Sequence, residues 1–309
     1  MSPSKAAGTS STLVDLSSQL AAAVEVAARS VVAIHARKRI PSSGVVWRDD
    51  VIVSASHTVK RDDAIPVTLP SGDSVTATIA GRDPATDLIA LRVAGVKGQA
   101  ASKGEAGSLR VGSLVLAVGR PGPAATASFG IISAIGEGWR TWQGARLDRV
   151  LRLDLAVYDG FSGGALVDAS GAVLGLNNSA LARGAPMALP ASAVDRVVDE
   201  LLQRGHVRRP FIGVAVHPVA LSPALAKEHG VEDAALLVTS VAEGSPAETG
   251  GLLVGDVLLR ADGHALRRPT DLLDALAGTR SGASVKLEVL RGGAKKSVSV
   301  SPGDRGDRE

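Results

Sequence analysis

The segment Asp159-Gly160-Phe161-Ser162-Gly163-Gly164-Ala165-Leu166-Val167 sets one serine in a glycine-rich turn directly before an apolar run. Glycines beside a hydroxyl let backbone N–H groups converge on one point, the arrangement that stabilises an oxyanion. By itself the turn reads equally well as an ordinary hairpin loop. A serine hydroxyl becomes a useful nucleophile only when a base is in reach. His57 closes the apolar stretch Val53-Ser54-Ala55-Ser56-His57-Thr58-Val59, whereas His35, His206, His217, His229 and His264 show no catalytic setting. A third group is Asp87, in Asp83-Pro84-Ala85-Thr86-Asp87-Leu88-Ile89-Ala90-Leu91. A carboxylate entering an apolar strand is partly buried, where it fixes an imidazole tautomer and stabilises its cation. Asp83 is a rival in the same segment, although its neighbour Pro84 suits a turn.

The three groups together say more than any one. They follow in the order His, Asp, Ser, with Asp87 lying 30 residues after His57 and 75 before Ser162. That order is the one of the chymotrypsin fold and differs from those of subtilisin and the α/β-hydrolases.

The elements that must position these groups are short and β-like. After an amphipathic helix over Leu13–Ala28, apolar runs recur at Val31–His35, Gly44–Trp47, Val51–Ser54, Ile65–Leu69, Val75–Ala80 and Leu88–Val93, with turn residues between them. A Gly- and Ser-rich stretch over Ala94–Ser108 precedes further runs at Leu114–Val118, Gly130–Ile135, Val150–Leu155, Ala165–Val167 and Val173–Asn177. Many short strands predict barrels or sandwiches rather than βαβ units. A helix capped by Ser192 and stopped by Gly205 closes this region.

Composition narrows the function. The chain has 309 residues, 45% of them apolar, which is enough for two or three compact units. Its 34 basic and 31 acidic residues leave a formal charge of +3, with no long basic run and only 2% aromatics. Nucleic-acid binding is therefore not expected. Cysteine is absent, which excludes disulfides, thiolate metal sites and a cysteine nucleophile. No metal cluster and no cofactor motif is found, and the absence of a G-x-x-x-x-G-K-[ST] loop argues against nucleotide dependence. The apolar stretch Leu20–Ile34 carries Glu25 and Arg29 and is too short to span a bilayer. No secretory leader is read at the start, so a cytoplasmic location is expected. A removed leader would leave the same sequence and give a periplasmic or extracellular location instead.

The segments Ser54-Ala-Ser-His57-Thr-Val, Asp83-Pro-Ala-Thr-Asp87-Leu-Ile-Ala-Leu and Gly160-Phe-Ser162-Gly-Gly-Ala-Leu resemble the three catalytic motifs of the HtrA/DegP/DegQ proteases. Gly171-Ala-Val-Leu-Gly175-Leu-Asn177 is similar to the strand pair following that family's nucleophile. The resemblance implies a mostly β fold, a trypsin-like double β-barrel protease domain followed by an α+β PDZ domain. It implies an ATP-independent endopeptidase acting on unfolded or damaged proteins. Ser162 would be the nucleophile, His57 the general base and Asp87 its orienter, with the N–H groups of Gly160 and Ser162 forming the oxyanion hole. Ala156, six positions before Ser162, would floor a substrate pocket for Val, Ala or Leu side chains, with Phe161 beside it. The family has Asn before the serine and Pro after the glycine pair, where this chain has Phe161 and Ala165. A bulky ring next to an oxyanion donor defines the alternative, a catalytically impaired peptide-binding or chaperone-like protein of the same fold. The family also implies a homotrimer held by aromatic residues near the N-terminus, yet none precedes Trp47 here.

A second module carries its own signal. Phe211-Ile212-Gly213-Val214 resembles the carboxylate-binding loop of PDZ domains, which holds a peptide's C-terminus on backbone N–H groups. The run Ser245-Pro-Ala-Glu-Thr-Gly-Gly-Leu-Leu-Val-Gly-Asp256-Val-Leu is characteristic of protease-associated PDZ domains. Thr270–Ala277 is expected to flank the peptide groove, with Leu273 and Leu276 towards either core or ligand. The expected boundaries are a flexible tail over 1–12, the protease domain over 13–205, a linker over 206–210, the PDZ domain over 211–301 and a disordered tail over 302–309.

Overall fold

The computed structural model describes residues 12–96, 100–141, 145–181, 185–231, 233–277, 279 and 283–304. They divide into two compact units, one up to Val207 and one from Arg208. The tails expected over 1–12 and 302–309 lie outside the described residues except for Thr12 and residues 302–304.

The first unit opens with α1 (Thr12–Ala28). Its expected apolar stripe is covered only from Leu20 onward: Ala23 and Ala27 are buried and Leu20 and Val24 pack beside them, while Leu13 stays 77% exposed. Twelve strands follow. They are β1 (Val31–Ile34), β2 (Ser42–Arg48), β3 (Val51–Ala55), β4 (Ile65–Thr68), β5 (Ser74–Asp83), β6 (Leu88–Arg92), β7 (Leu114–Gly119), β8 (Thr126–Arg140), β9 (Arg146–Asp154), β10 (Ala165–Val167), β11 (Val173–Asn178) and β12 (Met187–Pro190). The first six close a barrel in the order β1-β2-β3-β6-β5-β4, and the second six close another in the order β10-β11-β12-β9-β8-β7. The two barrels repeat one topology.

Strand periodicity explains why the apolar runs are continuous. Side chains alternate between faces, so Ile89 and Leu91 of β6 fill the first barrel while Leu88 and Ala90 face a core shared by the two barrels. In β10, Leu166 enters the second barrel's interior and Ala165 and Val167 join the shared core. Both faces are buried, so neither reads as polar. The helix α2 (Ala191–Arg204) closes the unit, its Val194, Val198 and Leu201 packed on that shared core. Sequence reasoning placed its cap at Ser192. Strand β12 instead runs to Pro190, which occupies the cap position without a side-chain bond, and Ser192 lies in the first turn. Asp195 ties the helix down by accepting from Trp47 Nε1 at 2.8 Å and Lys103 Nζ at 2.6 Å. β12 itself went unread, because Met-Ala-Leu-Pro contains no β-branched or aromatic residue.

The second unit contains β13 (Pro210–Phe211), β14 (Val214–Ala220), α3 (Pro223–His229), β15 (Ala234–Val241), α4 (Pro246–Thr249), β16 (Val257–Ala261), β17 (His264–Ala265), α5 (Pro269–Ala277), β18 (Val285–Arg291), β19 (Ala294–Val300) and β20 (Gly303–Asp304). The main sheet runs β14-β15-β16-β18-β19, which leaves β14 at an edge. Leu236, Leu258, Leu272, Leu276, Leu287 and Val300 build its core. Two expectations about the ends of this unit are corrected. Pro210, assigned to the linker, and Gly303-Asp304, assigned to a disordered tail, pair antiparallel as β13 and β20, with the Arg209 N–H donating to Asp304 Oδ1 at 3.2 Å.

Candidate active site

Strand β3 delivers His57. The chain leaves β3 at Ala55 and makes one tight 3-10 turn over Ser56–Thr58, which carries the imidazole out of the barrel wall with 34% of its side chain exposed. Asp87 ends the turn before β6, with φ at +57°, a left-handed conformation that aspartate tolerates better than most residues. Register explains their proximity. Ala55 of β3 pairs with Leu88 of β6, so the residues just beyond these ends are neighbours. The Asp87 carboxylate then grips the histidine twice: Oδ1 accepts the His57 backbone N–H at 2.7 Å, and Oδ2 lies 2.6 Å from Nδ1. That grip presents Nε2 outward. Asp83, the rival carboxylate, is the turn residue instead, accepting from the backbone N–H groups of Ala85 and Thr86 and from the Thr86 hydroxyl.

Strand β10 delivers Ser162 from the other barrel. Two consecutive turns build the loop, with the Phe161 N–H donating to Tyr158 O at 3.0 Å and the Gly164 N–H to Phe161 O at 2.8 Å. Gly163, at φ +84°, lets the loop lie directly on β3. A Cβ there would fall 2.3 Å from Ser54 Oγ and 2.7 Å from the Ala55 nitrogen. Only glycine permits this approach, and it sets Ser162 beside the strand end that carries His57. Ser162 is 6% exposed. Its hydroxyl is bonded to Ser179, 2.9 Å from Ser179 Oγ and 3.3 Å from the Ser179 N–H, and it makes no hydrogen bond to His57.

The backbone N–H groups of Gly160 and Ser162, the expected oxyanion donors, have no acceptor among the described residues. The Gly160 carbonyl is anchored by Ser43 Oγ, which donates to it at 2.5 Å and accepts from the Arg120 N–H at 2.8 Å. The Arg120 guanidinium is buried against the carbonyls of Ala28, Val31 and Pro123, and burial lowers its pKa. It sits at the C-terminal end of α1, where a cation complements the helix dipole.

One substrate-pocket expectation changes. Phe161, expected beside the pocket, is fully buried against Gly119, where a Cβ would fall 2.9 Å from the ring. The missing Gly119 side chain makes room for it. The Tyr158 ring meets it edge-on, with centroids 5.4 Å apart. Ala156 lies on an exposed stretch after β9, its carbonyl accepting from Ser128 Oγ.

Three contributors escaped the sequence reading. Asn178 Nδ2 donates to Asp87 Oδ2 at 2.6 Å, while Asn178 Oδ1 accepts the N–H groups of Ala180 and Leu181. Ser179 holds the nucleophile and Ser43 the loop. The one signal in the sequence was a pair of asparagines, Asn177-Asn178, at the end of an apolar strand.

In the second unit, Phe211–Val214 forms the loop that enters the edge strand β14. Ile212 is buried, and Gly213 sits at φ +83°, where a Cβ would fall 2.3 Å from Ser245 Cβ. The carbonyls of Ile212 and Gly213 are engaged by the N–H groups of Ala247 and Ala242. Helix α5 turns Leu276 into the core and leaves Leu273 at 36% exposure. An exposed sheet edge beside an apolar helix is the setting for strand addition by a peptide. Among the described residues no group of His, Cys, Asp and Glu is arranged to hold a metal ion. No described helix is long and apolar enough to cross a membrane.

Residues 42–176 match the family model of the trypsin-like peptidase domain, and residues 210–301 match that of the PDZ domain. A protein of Brucella suis biovar 1 (strain 1330) named probable periplasmic serine endoprotease DegP-like is 34% identical over 289 residues, covering 88% of this chain and 55% of the relative. A protein of the same name from Pseudomonas putida (strain GB-1) is 32% identical, covering 85% and 55%. The chain thus spans about half the length of these curated relatives. Among solved structures, the HtrA-type protease AlgW with tripeptide is 32% identical with a TM-score of 0.70, covering 93% of this chain and 97% of that one. The serine endoprotease from Yersinia pestis is 26% identical with a TM-score of 0.73, covering 92% and 97%.

These relatives overturn the expected cytoplasmic location, because they are named periplasmic. That expectation rested on an unseen leader, which says nothing about where the folded domains work. The two matched domains in this order, and an HtrA-type structure 32% identical along nearly its whole length, show that the chain belongs to the HtrA/DegP-like family of trypsin-like serine proteases with a PDZ domain.

Proposed function

We propose that this chain is an ATP-independent serine endopeptidase that cleaves unfolded or damaged proteins and captures peptide C-termini on its PDZ domain. The observation that carries the reading is the 2.6 Å contact of His57 Nδ1 with Asp87 Oδ2, made beside a Ser162 loop packed onto Ala55. The carboxylate keeps Nδ1 protonated and leaves Nε2 as the base. In the reaction, Ser162 Oγ attacks the scissile carbonyl carbon as its proton passes to His57 Nε2. The N–H groups of Gly160 and Ser162 receive the developing oxyanion. The protonated imidazole then gives its proton to the leaving amine, and water releases the acyl group by the same steps. An uncharged floor at Ala156 favours cleavage after Val, Ala or Leu. The compartment in the relatives' names, the periplasm, is the one adopted, and the family supports a homotrimer, which a mass measurement in solution checks.

A fluorophosphonate probe tests the reading. Labelling of the wild-type chain that disappears in Ser162→Ala, together with cleavage of an unfolded protein without nucleotide, supports it. A second reading, a non-catalytic peptide-binding or chaperone-like protein, draws on the Ser162 bond to Ser179 in place of His57. A wild-type chain that folds, binds peptide and takes no label would favour that reading.

A further inference from the structure

We infer that Ser179 is a positioning residue for the nucleophile, parking the Ser162 hydroxyl away from His57 until the acylation step. The inference rests on the protease reading. Both hydrogen bonds of Ser162 Oγ go to one residue, at 2.9 Å to the Ser179 hydroxyl and 3.3 Å to its N–H. A hydroxyl has one proton to donate. Either hydroxyl of the pair can donate, and the parked state is the one in which Ser162 gives its proton to Ser179 Oγ, whereas attack requires that proton to face His57 Nε2. Ser162 is nearly buried, so bulk water competes weakly for this bond.

The partner is held in place as well. Asn178, the preceding residue, is pinned through Nδ2 to Asp87 Oδ2 and through Oδ1 to the N–H groups of Ala180 and Leu181. The Asn178-Ser179 dipeptide therefore grips both ends of the catalytic set, the orienting carboxylate with one side chain and the nucleophile with the next. Ser179 itself is exposed, so its hydroxyl finds water when Ser162 rotates away. Release therefore gives up the hydroxyl bond, which water replaces, and the longer 3.3 Å bond from the Ser179 N–H. Ser179 touches no reacting atom in the attack, and its effect is on the fraction of Ser162 aimed at His57.

The test compares Ser179→Ala, Ser179→Thr and Ser162→Ala by the second-order rate of fluorophosphonate labelling and by kcat and KM on a Val-containing peptide. Removing the parking bond raises the labelling rate and kcat roughly 2–10-fold, the value of one neutral hydrogen bond. KM changes little. Ser179→Thr keeps a hydroxyl and stays near the wild-type rate, and all chains are compared at equal melting temperature or with the shift recorded. A residue that merely supports the loop would slow the reaction on substitution. Wild-type labelling with Ser179→Ala equal or slower overturns the inference alone, as does Ser179→Thr matching Ser179→Ala. No labelling of any chain removes the protease reading and the inference with it.

Discussion

The side-chain amide of Asn178 donates to Asp87 Oδ2 at 2.6 Å, so a residue of the second barrel completes the carboxylate that orients a histidine of the first. Asp87 thereby accepts from two separate groups beyond the His57 ring, one on each oxygen. Removing the amide in Asn178→Ala leaves a nearly buried anion short of one donor. Hydrogen bonds to charged groups are worth about 1.5–3 kcal/mol, so kcat/KM for peptide cleavage falls roughly 10–100-fold with KM nearly constant. Unchanged kinetics in the folded variant would refute the role.

Ser43 anchors the oxyanion loop by donating to Gly160 O and accepting from the Arg120 N–H. Ser43→Ala frees the Gly160 peptide and leaves a buried N–H unpaired. The expected outcome is a drop in kcat of about tenfold and a loss of about 1–3 kcal/mol in denaturant unfolding, the cost of an unsatisfied buried group.

Phe161 and Gly119 form a ring-and-gap pair. Phe161→Ala empties a fully buried site and is expected to cost about 3–5 kcal/mol. Gly119→Ala drives a methyl into the ring and costs about 1–3 kcal/mol by overpacking. The two changes combined lose less than their sum, because the methyl occupies space the ring has left. A double-mutant cycle in urea measures the difference, and strict additivity would show that the two do not share the space.

In the PDZ unit, Asp256 is buried and paired with Arg291, both of its oxygens lying 2.7 Å from guanidinium nitrogens. Burial acts to raise its pKa, but the Arg291 bonds and the Leu253 N–H outweigh it and hold the carboxyl below its usual 3.8. A depressed carboxylate pKa stabilises the fold above the unfolded value and loses that contribution as pH falls through the folded one. The contribution of the Asp256–Arg291 pair to the stability of the unit is therefore expected to be lost below pH 3.8, the value of the free carboxyl. Arg291→Ala costs about 3 kcal/mol at neutral pH, the low end for breaking a buried pair because Arg291 keeps 28% exposure. Circular dichroism against pH on both chains checks the sign.

The sequence by itself determined the residue types of the chemistry, their order along the chain, the run of short apolar strands and the second module. These are local properties. A strand announces itself through its own side chains, and a serine among glycines or a Gly-Asp-Val-Leu turn is visible without its partners. The contact that separates Asp87 from its rival Asp83 is different in kind, since both precede the same strand: beyond the hint of Pro84, it is the His57 ring, met across 30 residues of chain, that marks Asp87. Asn178, Ser179 and Ser43 were invisible for the same reason. Their contacts reach Asp87, Ser162 and Gly160 across 91, 17 and 117 residues of chain, and they exist only once each barrel closes and the two pack together. Phe161 shows it most plainly. In sequence it is a bulky neighbour of an oxyanion donor, and in the fold it is core, because Gly119 at the end of β7 leaves the volume its ring requires.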